Sequence, residues 1–232
     1  MSRHFPLIDF HSHILPAADH GSSGLTESLK QLEIVRNFGV DTVVATPHFY
    51  PNSIRLEPFM NLVASSAERL NEHKEAAPRI CLGAEVLYCN GLHRMEGLDS
   101  LCIRGTNVLL LELPMDEWND ELFFTVERLT KSFTVVLAHI DRYILCEEEG
   151  IHSLLSMGAF AQINGYSLHS FSKRRKLKPI LESDRVVALG SDLHGADKKD
   201  YERFLAAEKR LGDTFEIIMR RSAALLENAT AL

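Results

Sequence analysis

The 232-residue sequence contains no apolar stretch near the roughly 20 residues that a membrane-spanning helix needs. Its opening, Met1-Ser2-Arg3-His4-Phe5-Pro6, lacks the apolar region of a secretory signal. Both absences point to a cytoplasmic protein that does not span a membrane. A long basic run is also missing: 25 lysines and arginines stand against 32 acids, for a net charge of -7. Nucleic acid is therefore not an expected partner, although a short anionic group is. Only four cysteines occur, Cys81, Cys89, Cys102 and Cys146, without C-x-x-C spacing and in a chain too large to need disulfides. They read as reduced and structural. No linker or low-complexity tract divides the chain, and 45% hydrophobic residues suffice for one large core. One domain over residues 1–232 is expected.

What is present is an alternation of strand-like apolar runs with helical periodicity. Leu7 to Phe10 leads into His11-Ser12-His13; Thr26, Leu29, Leu32 and Val35 start a helix that Gly39 ends. Further strands are read at Asp41–His48, Arg79–Val86, Val108–Pro114, Thr134–His139, Phe160–Asn164 and Val186–Asp192. Helices fall near Pro58–Lys74, Asp120–Lys131, Glu147–Met157, Tyr201–Leu211 and Phe215–Glu227. An irregular connection runs through Gly91, Gly97 and Gly105. Seven strands separated by helices, several of them continuously apolar, describe parallel strands covered on both faces. The expected architecture is a (β/α) barrel, or a close relative, of about seven units.

Polar residues fall at the ends of these strands. His11 and His13 leave one strand on the same face. His48, Glu85, Glu112, His139 and Asp192 each close another strand, and His194 follows Asp192. Spacings of 37, 37, 27 and 27 residues separate His11, His48, Glu85, Glu112 and His139, each close to one strand–helix unit. In a parallel barrel all strand C-termini meet on one rim, so these residues converge. Uncompensated imidazoles and carboxylates at so many strand ends are costly unless something neutralises them. Imidazoles mixed with carboxylates suit zinc, manganese or iron, and the set exceeds what one ion can use, so two or three ions are expected. Such clusters activate water and clamp phosphate oxygens, which makes phosphoester hydrolysis the natural chemistry. Arg142, three residues past His139, offers a planar fork of donors to a phosphate.

The motifs Asp9-Phe10-His11-Ser12-His13-Ile14-Leu15-Pro16, Ala45-Thr46-Pro47-His48, Gly83-Ala84-Glu85-Val86, Leu111-Glu112-Leu113, Ala138-His139-Ile140-Asp141-Arg142-Tyr143, Gln162-Ile163-Asn164 and Ser191-Asp192-Leu193-His194 run nearly end to end. In these the sequence resembles the PHP (polymerase and histidinol phosphatase) superfamily, and within it the bacterial capsular-polysaccharide tyrosine-phosphatase branch. The resemblance implies a distorted (β/α)7 TIM-like barrel with a trinuclear site. It implies that His11, His13, Glu85 and Asp192 hold one metal, Glu85, Glu112 and His139 a second, and His48 and His194 a third with an acid from the loop after the first strand. That loop departs from the branch, which has two aspartates before glycine where this chain has Asp19-His20. Asp19 is the ligand assigned and His20 the alternative. Asp141 stands where the branch has glutamate, in a position implied to donate a proton. The implied partner is a phosphotyrosine protein, the tyrosine-rich tail of a bacterial polysaccharide-assembly kinase.

The mechanism implied, and supported by the residues, is in-line attack of a metal-bound hydroxide on phosphorus while Arg142 neutralises the developing charge. A histidinol-phosphatase-like or other small-molecule phosphoesterase is the alternative enzyme, and a metal-stabilised regulatory module without turnover is the alternative class. An amidohydrolase also opens with H-x-H but typically bridges its metals through lysine, whereas Glu85 and Glu112 stand at the corresponding ends here. A cysteine phosphatase of the C-x5-R type is excluded, because Leu87, Met95, Val108 and His152 follow the four cysteines at that distance. Accordingly, exhaustive alkylation of the thiols is expected to leave hydrolysis of p-nitrophenyl phosphate intact in protein that stays folded and metal-loaded. Loss of turnover in such a sample, with circular dichroism and metal content unchanged, would refute the metal mechanism.

Overall fold

The computed structural model describes residues 3–74, 78–116 and 118–232. In chain order it comprises β1 (Ile8–Ser12), α1 (Leu25–Asn37), β2 (Thr42–Ala45), β3 (His48–Phe49), α2 (Leu56–Asn71), β4 (Arg79–Leu82), β5 (Glu85–Leu87), β6 (Val108–Glu112), α3 (Asp120–Thr130), β7 (Thr134–Leu137), α4 (Glu148–Ser156), β8 (Phe160–Asn164), α5 (Phe171–Leu181), β9 (Val186–Gly190), α6 (Lys198–Leu211) and α7 (Asp213–Leu225). The strand interiors are apolar because both faces are covered: Val43, Val44, Leu109, Leu111, Val135, Val136 and Leu189 are fully buried. Helix α7 seals one flank with Phe215, Ile218 and Met219, each without exposed surface. No helix among the described residues is long and apolar enough to cross a membrane.

Every named strand pair is parallel, but the hydrogen-bonded ladder falls into two sheets, β1-β2-β4 and β3-β5-β6-β7-β8-β9. The sheets do not close into one ladder, so the expected barrel is met as an α/β arrangement of parallel strands. The reason lies in two predicted strands that are each cut in two. Asp41–His48 breaks at Thr46-Pro47, where proline has no N–H for the ladder. Arg79–Val86 breaks at Gly83-Ala84, where the backbone passes so close to Ile103 that a Cβ on Gly83 would lie 3.1 Å from its Cγ1. Backbone bonds run across the breaks, from Gly83 N to Ala45 O at 2.9 Å and from Glu85 N to Pro47 O at 3.1 Å. On the other side β1 meets the end of β9, with Asp192 N donating to His11 O at 2.8 Å and His13 N to Leu193 O at 3.2 Å.

Helix α5 is absent from the sequence reading. Its residues, Phe171-Ser-Lys-Arg-Arg-Lys-Leu-Lys-Pro-Ile-Leu181, bury only Leu177, Ile180 and Leu181 and include Pro179, so the apolar periodicity is too thin to register. The side chain of Ser170, which accepts from Lys173 N, starts it. The other helices differ from their predicted bounds by a few residues: Asn119 caps α3, and Asp197 caps α6, which begins at Lys198, three residues before Tyr201. The irregular connection after β5 forms two short 3-10 turns, Leu92–Arg94 and Leu98–Leu101, each entered through a left-handed glycine.

β8, β9 and β1 approach closely beneath the strand ends. A Cβ on Gly190 would lie 2.6 Å from the Cβ of His11 and 2.7 Å from Gln162 Nε2. Gly190→Ala is therefore expected to destabilise the protein by about 1–3 kcal/mol through overpacking, read as a lower thermal midpoint. An unchanged midpoint would show that β1 and β8 can separate at this point.

Candidate metal centre

The strand ends gather as the spacing predicts, around the buried carboxylate of Glu85. Its Oε2 lies 2.9 Å from His48 Nδ1, 3.2 Å from His11 Nε2 and 3.4 Å from His13 Nε2, and its Oε1 lies 2.7 Å from His139 Nε2. Asp192 Oδ1 is 3.4 Å from His13 Nε2, 3.6 Å from His194 Nδ1 and 3.7 Å from His11 Nε2. Glu112 closes the opposite edge, 3.6 Å from His139 Nε2 and 3.9 Å from His48 Nδ1. Four groups of three could each hold an ion, with ligand atoms within 4.8 Å of one another: His11, His13 and Asp192; His11, Glu85 and His139; His48, Glu85 and Glu112; and His13, His48 and His194.

The donors fit metal ions better than they fit one another. His48 Nδ1, Glu85 Oε2, His139 Nδ1 and Asp192 Oδ1 are buried without a hydrogen-bond partner. Buried polar atoms left so are expensive. His11 Nε2 and His13 Nε2 face each other at 3.1 Å, two nitrogens aimed at one space. The outer ring nitrogens are anchored instead. Gln162 Oε1 accepts from His139 N at 2.6 Å, which fixes it as the oxygen, so the 3.1 Å contact with His11 Nδ1 requires the proton to sit on that nitrogen. His13 Nδ1 donates to Asp19 Oδ2 at 2.6 Å, and His194 Nδ1 to Asp192 O at 3.0 Å. Each leaves an Nε2 lone pair turned inward, as oriented metal-binding histidines do.

Local backbone conformation aims these side chains. His139 and Asp192 both adopt positive φ, 30° and 53°, a left-handed geometry that costs non-glycine residues of order 1 kcal/mol or more. It turns both out of their strands: β7 stops at Leu137 and β9 at Gly190, short of the predicted ends.

Charge balance follows the packing. Burial opposes ionisation of Asp192 and Glu85, yet the surrounding imidazoles outweigh it and hold both carboxyls well below the usual range, with Arg142 adding to the effect at Asp192. Burial and the repulsion of His13 push His194 down to about 4. Glu112 is raised, by burial and then by the negative charge of Glu85. Tyr50, whose ring stacks 5.3 Å from His48, is pushed up to about 12 by burial and the carboxylates of Glu112, Glu85 and Asp19.

Three predicted residues are placed differently. Asp19 stands behind His13 rather than within any of the four groups: its Oδ2 also accepts from His48 N at 3.0 Å and its Oδ1 from Gly21 N at 2.8 Å. His20 is outside those groups too, its exposed ring stacked 4.7 Å from those of His48 and His194. Asp141 turns away from the cluster, fully buried, accepting from Asn164 N at 2.8 Å and from the Ser167 hydroxyl. Arg142 does face the cluster, donating to Asp192 Oδ2 at 2.5 Å and to Glu112 Oε1 at 3.4 Å.

A supporting layer, most of whose residues fall in the motifs quoted above, had no role assigned to it from the sequence. Asn164 Nδ2 donates to Asp192 Oδ2 at 2.9 Å, and Asn164 Oδ1 accepts from Gln162 Nε2 at 2.9 Å. Asp9 accepts from Ser191 N at 2.8 Å, the Ser191 hydroxyl at 2.6 Å and the Tyr201 hydroxyl at 3.1 Å, and burial pushes it up to about 6 against those bonds. The one available signal was alternation: Asp9, His11 and His13 share a face, as do Gln162 and Asn164.

Parallel strands ending on a buried histidine–carboxylate cluster define a class of α/β proteins suited to holding divalent cations at one rim. Within that class the chain belongs to the family described as capsular polysaccharide synthesis, CpsB/CapC, whose model matches residues 7–222. Tyrosine-protein phosphatase YwqE of Bacillus subtilis (strain 168) is 27% identical, over 95% of this chain and 91% of its own. Tyrosine-protein phosphatase CpsB of Streptococcus agalactiae serotype V (strain ATCC BAA-611 / 2603 V/R) is 30% identical, over 82% of this chain and 84% of its own. A solved structure from the pair YwqE of Bacillus subtilis and CpsB of Streptococcus pneumoniae, described as unique metal-dependent tyrosine phosphatases, matches with a TM-score of 0.80 and 25% identity, over 97% of this chain and 96% of that one.

Because Gln162 fixes the His11 proton and receives His139 N, Gln162→Leu is expected to weaken metal binding about 10–100-fold, measured by competition with a chromogenic chelator. Retained affinity in a folded variant would show that the imidazoles orient themselves without it.

Proposed function

We propose that this chain is a metal-dependent protein-tyrosine phosphatase of capsule synthesis, with residues 1–232 as one catalytic unit. The observation that carries the reading is Glu85, whose carboxylate sits among His11, His13, His48 and His139 with Oε2 making no hydrogen bond. Ions are assigned to His11, His13, Glu85 and Asp192; to Glu85, Glu112 and His139; and to His48 and His194, with Asp19 orienting His13 from behind. Two or three manganese, zinc or iron ions are the expected complement. The two sheets are read as parts of one distorted (β/α)7 barrel, a view supported by the backbone bonds that cross from Gly83 to Ala45 and from Asp192 to His11.

Bound there, divalent ions supply an activated water at neutral pH and neutralise phosphate oxygens. The protein's own residues do the rest. Arg142, 32% exposed, holds Asp192 and Glu112 and keeps further donors that can take phosphate oxygens as charge grows on them. The leaving phenolate has a conjugate acid of pKa about 10 and needs little help to depart. Asp141, committed to Asn164 N and Ser167, is therefore read as a brace for the turn carrying Arg142 rather than as a proton donor. The tyrosine-rich tail of a bacterial polysaccharide-assembly tyrosine kinase is the proposed protein substrate, met in the cytoplasm.

Arg142→Ala is expected to lower kcat on a phosphotyrosine peptide on the order of 10²-fold, like loss of one preorganised donor, with metal content unchanged by elemental analysis. Arg142→Lys should recover only part, since ammonium lacks the two-pronged fork. Parent-like turnover by Arg142→Ala would make Arg142 a structural residue. Chelation should abolish hydrolysis and added manganese, zinc or iron restore it. A clear preference for histidinol phosphate over the phosphotyrosine peptide would replace the proposed substrate with a small molecule.

A further inference from the structure

Helix α5 carries Lys173, Arg174, Arg175, Lys176 and Lys178 and no acid. Five of the chain's 25 basic residues thus fall in eleven positions of a protein whose net charge is -7. With Arg210 from α6 and the ring of Phe171, 70% exposed, this helix lines a groove of about 370 Å³ against the α6–α7 turn. Part of the charge is matched internally: Lys176 lies 2.5 Å from Glu148, Lys178 3.7 Å from Glu182 and Lys173 3.9 Å from Asp141. Arg174 donates to Leu168 O at 3.3 Å and lies 5.9 Å over the Phe171 ring, and Arg210 contacts His169 Nδ1 at 2.9 Å. None of Arg174, Arg175 and Arg210 forms an ion pair with a carboxylate among the described residues. Like charges gathered on one helix face repel unless an anion joins them.

The place of the helix in the fold selects the anion. Ser167, in the turn just before α5, bonds Asp141, and Lys173 faces the same carboxylate. Asp141 precedes Arg142, which faces the metal centre. Helix α5 therefore starts close to the turn that carries Arg142 and leads away from it. An extended chain covers about 3.3 Å per residue and α5 rises about 1.5 Å per residue, so groups roughly three to six residues from a bound phosphotyrosine fall along Lys173 to Lys178.

We propose that this groove docks an acidic segment of the phosphotyrosyl protein, with carboxylates or further phosphates meeting Arg175, Lys178 and Arg210 and an apolar side chain resting on Phe171. The inference rests on the phosphatase reading and adds a specificity surface to it. A basic face with an exposed aromatic ring also suits anionic lipid. The groove's concavity, and the first turn of its helix, where Lys173 faces the carboxylate next to Arg142, favour the peptide.

The test uses two pairs of phosphotyrosine peptides with four glutamates three to six residues from the phosphotyrosine, on either flank, each paired with its glutamine counterpart. The parent is expected to prefer a glutamate peptide in kcat/KM on the order of 10-fold, the sum of a few exposed ion pairs, with the preference fading as salt rises. The triple variant Arg175→Glu, Lys178→Glu, Arg210→Glu should lose that preference while hydrolysing p-nitrophenyl phosphate like the parent. Binding of matched peptides carrying a non-hydrolysable phosphonate, followed by fluorescence anisotropy, reads the same preference without turnover, so failure of the phosphatase reading stays separate from failure of the docking surface. Equal affinity of the parent for glutamate and glutamine peptides, or a preference that survives in the triple variant, overturns the proposal. Binding to phosphatidylserine–phosphatidylcholine vesicles that the triple variant loses, without any peptide preference, replaces it with a membrane surface.

Discussion

A carboxylate packed among four imidazoles is the constraint on which the rest of this structure depends. Glu85 Oε2 has three imidazole nitrogens within 3.4 Å and no hydrogen bond, in a place without exposed surface. An arrangement of that kind is held by its surroundings, because isolated buried charges cost several kcal/mol each. Six strands deliver the ring of donors, and their parallel direction is what brings the ends of β1, β6, β7 and β9 and the first residues of β3 and β5 to one side. The apolar helices and strand interiors then supply the rigidity that keeps lone pairs aimed at common points.

Beneath the donors lies a polar layer that sets proton positions. Gln162 receives His11 and His139 N, Asn164 receives Gln162 and supports Asp192, and Asp9 gathers Ser191 and Tyr201. The amides add no net charge, so they orient the histidines without competing for cations. Two adjacent residues illustrate how sharply the layer divides roles: Asp141 points into it and Arg142 out of it.

Much of this was legible in the sequence, for reasons that can be traced residue by residue. The 37-residue spacing of His48 and Glu85 equals the ladder register itself, since His48 pairs with Glu85. The equal spacings of 27 that follow are not registers: Leu87 pairs with Glu112 and Leu111 with Leu137, offsets of 25 and 26, so Glu112 and His139 stand at other heights than Glu85. Spacing revealed convergence but not level. The turning of Asp141, the retreat of Asp19 behind His13 and the strand breaks depend on hydrogen bonds between distant segments, which local pattern cannot carry. Helix α5 escaped because its residues are chosen for charge rather than for burial.

The two strand breaks have the same length. Thr46-Pro47 and Gly83-Ala84 each spend two residues between paired partners, so the offset of 37 that joins Ala45 to Leu82 is restored where His48 meets Glu85. Neighbouring chains thus leave one sheet and enter the next in step, like two lanes taking the same bend. Side chains alternate along a strand with a period of two, so a one-residue change in either bend alone would carry Glu85 or His48 from the inner face to the outer. Length at this seam can change only as a matched pair, which makes four unremarkable residues a tighter restriction on insertions than any of the histidines they serve.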